Sequence, residues 1–314
     1  MRIMRDRWTS RTQPWKRLSL LWLWLWLPPT SLAAPPAVVA SIQPVHSLVT
    51  NVMQGVGEPA LLLPGGASPH DHQLKPSAAR AIDAAQAVFW IGPELEGFLV
   101  KPLANVQSGR VVALIDAPGV KTLPLRGGGV WEAHAHDHDR ATGRDPHIWL
   151  DPVNAAAMAR QIAATLGEID PGHRGDYERN GTALLERLTQ WQDRLDAELA
   201  PIKPLPYVVF HDAYQYFEQR FGLNAVGSVV LDPAQRPGAQ RLTAIRTRIR
   251  DREARCVFSE PQFQPALVAT VIAGSDARVG VLDPLGAELP SGPDAYFQLL
   301  QGLADALRGC LSRA

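Results

Sequence analysis

The chain is poor in cysteine, with two in 314 residues, and these lack the close C-x-x-C spacing that structural zinc sites favour. It contains no G-x-x-x-x-G-K-[ST] segment to cradle nucleotide phosphates and no H-E-x-x-H pair. An ATP-hydrolysing motor and the commonest zinc-hydrolase helix are set aside by those absences. Long apolar runs are missing too. The run Leu18–Leu27 is apolar except for Ser19, well short of the roughly 20 residues a membrane-spanning helix requires, and no other segment comes close.

That run follows a basic head of Arg2, Arg5, Arg7, Arg11, Lys16 and Arg17 and precedes Pro28, Pro29 and small residues, the layout of a secretory signal peptide. Residues 1–33 are therefore expected to be removed on export. Cleavage after Ala33 reads better than after Ala34, which would leave Pro35 at the new terminus. No cysteine lies nearby to carry a lipid, so release without an anchor is expected. The whole chain balances 31 basic against 31 acidic residues; the leader takes six basic residues and Asp6 with it, leaving 25 against 30, a net charge of −5. No basic stripe survives to neutralise phosphates, which argues against a nucleic-acid partner.

Cys256 and Cys310 are an even number of thiols in a chain bound for an oxidising compartment, and they are expected to pair. The alternative is two buried free thiols. A bridge closing a loop of this size constrains the unfolded chain by about 4 kcal/mol in the chain-entropy account.

Short apolar runs alternate with helical stretches. Strands are expected at Val38–Ser41, Ala60–Leu63, Val88–Ile91 and Val111–Leu114, with helices opening near Pro44, Pro76 and Glu94. The rhythm returns with strands at Tyr207–Phe210, Ala225–Val230, Cys256–Ser259 and Arg278–Leu282, interleaved with helices near 213–221, 238–250, 265–273 and 294–307. Repeated βα order implies parallel sheets covered by helices, and the length suits two α/β lobes. Between them Tyr177, Leu184, Leu188, Trp191, Leu195 and Leu199 recur at helical spacing, predicting one long helix that joins the lobes. The division expected is an N-terminal lobe over 34–170, a linker helix over 171–203 and a C-terminal lobe over 204–314.

Three histidines stand apart: His70 in GASPHDH, His147 in DPHIWLDP and His211 in VVFHDAYQYF, with a carboxylate in reserve at Asp283 of VLDPLG. Imidazole from separate segments plus an oxygen donor is a ligand set suited to tetrahedral zinc. His70, His211 and Asp283 each follow an expected strand, and in open α/β sheets ligands bind beyond the carboxyl ends of strands. The ion is thus expected in the cleft between lobes. His72 reads as a rim residue, His46 as a packing or capping residue, Asp145 and Asp212 as groups that orient the imidazoles, and Asp151, which precedes Pro152, as a helix cap. The segment 118–144 carries Gly127–Gly129 and then His134, His136 and His138 alternating with acids, a composition expected to form a loop that binds divalent metal weakly.

Taken in order, GASPHDHQLKPS, WIGPELEGFL, DPHIWLDP, FHDAYQYFEQRFGL, FSEPQF and VLDPLG resemble the metal-binding solute-binding proteins of ABC transporters, above all the periplasmic members that serve high-affinity zinc uptake. The resemblance implies two α/β lobes bridged by a long rigid helix, with Zn²⁺ between them on His70, His147 and His211 and with Asp283 or a water completing the shell. It supports the Cys256–Cys310 bridge and a histidine-rich loop over the cleft, here a short one. It further implies a periplasmic monomer, not an enzyme, that delivers zinc to an inner-membrane permease driven by a separate ATPase. Manganese-binding relatives place a carboxylate where this chain has His211, so zinc is favoured over manganese. A zinc-dependent hydrolase and a metal-dependent adhesin are the remaining alternatives.

Overall fold

A computed structural model describes residues 34–127, 143–231, 233, 237–263 and 266–312. The expected leader and His134, His136 and His138 lie outside the described residues. The N-terminal half runs β1 (Val38–Ala40), α1 (Gln43–Val52), β2 (Ala60–Leu61), α2 (Pro76–Ala84), β3 (Ala87–Trp90), α3 (Val100–Ala104) and β4 (Arg110–Ala113). Two helices follow, α4 (Pro152–Ile169) and α5 (Arg174–Leu199). The C-terminal half runs β5 (Tyr207–His211), α6 (Gln215–Phe221), β6 (Ala225–Val230), α7 (Ala239–Asp251), β7 (Cys256–Ser259), α8 (Ala266–Ile272), β8 (Arg278–Val281) and α9 (Ala295–Leu311).

Each half holds a four-stranded sheet, β2-β1-β3-β4 and β6-β5-β7-β8, and every neighbouring pair is parallel. The two orders are the same permutation. In each, the chain steps outward first one way and then the other, leaving a crevice beyond the carboxyl ends of the middle strands where a ligand can be received. Val38–Ala40 and Ala87–Trp90 are buried throughout, as is Tyr207–His211, because helices cover both faces of a parallel sheet. Proline opens α1, α2 and α4, where its fixed φ and missing donor cost nothing. Asp151 caps α4 through the Val153 amide.

At 26 residues, α5 is about 39 Å long at 1.5 Å per residue. It buries Tyr177, Leu184, Leu188, Leu195 and Leu199 against α4, α1 and α9. The lobes share more than this rod. A single apolar cluster contains buried residues of both sheets together with α4, α5 and α9. Polar bonds stitch the same seam: Gln43 donates to the Leu289 carbonyl at 2.9 Å, Ser47 to that of Pro293 at 3.0 Å, and the Trp149 indole to that of Pro284 at 2.8 Å. A second apolar cluster, centred on Val208, Phe210, Val229 and Val257, fills the face of the second sheet under α7 and α8. Cys256 of β7 and Cys310 of α9 form a disulfide with Cα atoms 6.3 Å apart.

Two elements differ from expectation. α4 is foreshadowed only at its start, by the cap read at Asp151, and not along its length, and the helix expected from Glu94 is a 3-10 turn at Gly97–Leu99 followed by the short α3. The delay has a cause: Glu96 is fully buried, and its Oε2 accepts the amides of Ile91 and Gly92 at 2.8 and 3.1 Å, capping the end of β3. Burial pushes this carboxyl up to about 7, against the opposing pull of the nearby Ser41 hydroxyl and of those two amides. A carboxyl with a raised folded pKa favours folding below its unfolded value, and that contribution is lost as pH rises through the folded value. Glu96→Gln is therefore expected to match the native metal-free protein near pH 5 and to exceed its stability at pH 8 by up to about 3 kcal/mol. Denaturant titrations at the two pH values check this; a variant weaker than native at pH 8 would contradict it.

Candidate metal centre

His211 is the last residue of β5, and Glu260 directly follows β7. Both therefore stand at the crevice between the two middle strands of the second sheet. His147 lies at the head of a 3-10 turn, Ile148–Leu150, that leads into α4. His70 lies on the loop between β2 and α2, whose pairing with β1 continues past β2 through the Leu62 and Leu63 amides. That loop is brought in by Gly65, where a Cβ would collide with the Ala287 carbonyl of the C-terminal lobe.

The three imidazoles converge. One nitrogen from each of His70, His147 and His211 lies within 4.8 Å of the others, and the ring centroids are 5.2 to 5.6 Å apart. His147 and His211 are buried and His70 is half-buried. The cavity they line measures about 10 Å³, room for one small ion or water. Trp149, Phe263 and Leu285 wall it with apolar surface.

Carboxylates fix the buried rings. His147 Nδ1 lies 2.8 Å from Asp145 Oδ1, and His211 Nδ1 lies 2.7 Å from both oxygens of Glu260. With Nδ1–H donated to a carboxylate, each ring presents the lone pair of Nε2 to the cavity. Those two Nε2 atoms face each other at 3.3 Å. Two acceptors held nose to nose repel unless a shared proton or a cation lies between them, and two Zn–N bonds of about 2.05 Å at the tetrahedral angle give a separation of about 3.3 Å. The three imidazoles fit zinc in chemistry, and the His147–His211 pair fits it in spacing.

Burial shapes the titration of the site. It lowers His147 well below the usual histidine value, with the charge of His211 acting the same way. For His211 burial also lowers, but the charge and hydrogen bond of Glu260, with Asp212 and Asp145, carry the net shift upward. Asp145 is pushed up to about 7 by burial, against the pull of the His147 amide, Arg126 and His211.

The remaining candidates are placed elsewhere. Asp283 is outside the three-histidine cluster among the described residues. Its carboxylate accepts the Leu285 and Gly286 amides at 3.1 and 3.0 Å, the Ala287 amide and the Gln262 side chain, closing the turn against which Gly65 packs. His72 stacks edge-on to Phe98 with centroids 5.2 Å apart and lines a separate cavity with Lys75 and Ser77. His46 bonds the Pro59 carbonyl from within α1. Asp151 caps α4 and pairs with Arg220 at 2.7 Å, while Asp212 is held by Arg126. Of the orienting acids, Asp145 is among those named from sequence and Glu260 is not. Glu260 is 49 residues from His211, and its position in FSEPQF directly after a strand is the only sequence signal of its role. The flanks of the histidine-rich segment pair as a short antiparallel stem, with a bridge between Pro124 and Arg144.

The chain matches the family described as periplasmic component A of the zinc-uptake complex over residues 38–310. It is 48% identical over 306 residues to the high-affinity zinc uptake system protein ZnuA of Brucella suis, covering 88% of this chain and 92% of that one. Identity to the protein of the same name from Yersinia pestis is 38% over 292 residues, with the same shares covered. A crystal structure of a ZnuA deletion mutant with zinc bound is similar at a TM-score of 0.75 and 26% identity, covering 89% of this chain and 99% of that chain.

Proposed function

The chain belongs to the family of periplasmic zinc-uptake complex A components, and from that premise we propose that it captures one Zn²⁺ on His70, His147 and His211 and hands it to an inner-membrane permease driven by a separate ATPase. The observation that carries the assignment of ligands is the pair of buried Nε2 atoms facing each other at 3.3 Å, each ring backed by a carboxylate on its Nδ1. Three imidazoles suit zinc; manganese favours oxygen donors. The basic head and apolar run of residues 1–33 support export through a cleavable leader, and a monomer suffices because all three ligands come from one chain. His134, His136 and His138 supply weak accessory sites.

A hydrolase would need a base free to take a proton from bound water. Asp145 and Glu260, the carboxylates nearest the rings, are already committed to imidazole nitrogens. Among the described residues, nothing in the site favours catalysis over capture. Because the ligands come from both lobes, a modest movement between lobes on docking lengthens one or two of the bonds and lowers affinity, and the shared apolar cluster and bonded seam oppose a wide hinge.

Competitive titration of the metal-free mature protein, read by calorimetry and elemental analysis, tests the reading. One tight zinc per chain that excess manganese does not displace is the expected result. Preference for manganese, or no tight zinc, would end it.

A further inference from the structure

Three imidazoles leave one vertex of a tetrahedron open. Gln262, two residues beyond Glu260, lines the same cavity as the histidines. Its Nε2 donates to Asp283 Oδ1 at 2.9 Å, and because a carboxylate only accepts, the orientation of the amide is settled. Asp283 is itself held by the amides of the turn that follows it. The other end of the amide, Oε1, is buried and has no hydrogen-bond partner among the described residues. No other residue lining this cavity has such a buried unpaired polar atom among the described residues.

A buried acceptor without a donor costs about 1–3 kcal/mol. Water bound to a cation has given its lone pair to the metal and must place its hydrogens on acceptors. The Glu260 and Asp145 oxygens nearest the rings are taken by imidazole. Resting on the three-histidine reading above, we propose that Gln262 is a positioning residue: its Oε1 accepts a hydrogen bond from a water that completes the coordination shell of the captured zinc. Asp283 then acts at one remove, setting the amide that sets the water.

A crystal structure of the zinc-loaded protein tests this directly. The expected result is zinc on the three histidines with a non-protein oxygen about 2.0–2.2 Å from the metal and about 2.7–3.0 Å from Gln262 Oε1. A protein carboxylate at the fourth vertex, or a water turned away from Gln262, overturns the proposal and leaves the histidine assignment standing; zinc absent from the histidines defeats both. The substitution Gln262→Leu separates positioning from mere support. It is expected to weaken zinc binding about tenfold and to shift the visible bands of the cobalt-loaded protein, which report the fourth ligand. Bands superimposable on those of the native cobalt protein would overturn the proposal even if the melting temperature fell.

Discussion

Substituting alanine for His147 or His211 lowers zinc affinity by about 10²–10³-fold, while His72→Ala leaves it within about twofold. Structural zinc sites bind with about 10–16 kcal/mol spread over four ligands, about 3 kcal/mol for each, and 1.4 kcal/mol is a factor of ten. His147 and His211 each present an oriented Nε2 to the cavity, whereas His72 packs on Phe98 beside a different cavity. The loss carries a pH signature. In the metal-free protein the Glu260 charge holds His211 above the usual histidine value, so zinc must displace a proton from it. Native affinity therefore falls as pH drops through that raised value, and binding at lower pH releases protons. In the His211→Ala variant that proton is gone, and its residual zinc binding becomes less dependent on pH. Calorimetry in two buffers of different ionisation enthalpy measures both quantities. Equal zinc affinity in His72→Ala and His147→Ala would remove His147 from the ligand set.

Much of this architecture is legible in the amino-acid sequence, for a definite reason. Strands buried on both faces read as unbroken apolar runs, and Ala225–Val230 and Cys256–Ser259 fall where those runs stand. The long helix is equally plain because its leucines keep the helical period against charged residues. α4 is hidden by its composition. Its buried positions mix Ala155, Ala157 and Ala159 with Asn154, Thr165 and Gly167, and small and polar residues on the inner side blur the contrast that marks an amphipathic face. In the three-histidine cluster, histidines near strand ends are visible because strand ends are. The groups that aim those histidines are less visible, because a second carboxylate can come from any element that reaches the crevice: Asp145 is two residues from His147, Glu260 is 49 from His211. Asp283 shows the converse. It follows a strand, yet its oxygens are taken by the amides of its own turn and by Gln262, an outcome that depends on loop geometry no periodicity records.

Arg126→Met is expected to cost the metal-free protein about 3–5 kcal/mol at pH 8. Arg126 Nε reaches both oxygens of Asp212 at 2.9 and 3.0 Å and its Nη1 lies 2.8 Å from Glu218 Oε2. Both acids are buried, with side chains 7% and 5% exposed. Removing one partner of a buried ionic cluster leaves charge with no counterion, and that penalty dominates the lost contact. Burial already pushes Glu218 up to about 7 and raises Asp212, with Arg126 pulling both back toward ionisation. Without the guanidinium those carboxyls stay protonated to higher pH. Stability tied to a raised carboxyl is present at low pH and lost as pH climbs through the folded value, so the deficit of the variant is expected to shrink toward pH 5 and widen toward pH 8. Adding Glu218→Gln should restore part of the loss, because one of the two uncompensated charges is then absent. The effect extends to the metal, since Asp212 directly follows His211 and Arg126 also acts on Asp145 behind His147; zinc affinity should fall about tenfold. Thermal melts of native, single and double variants at both pH values, followed by zinc titration, separate these outcomes. A deficit that is the same at pH 5 and pH 8 would mean that Arg126 contributes packing and not charge.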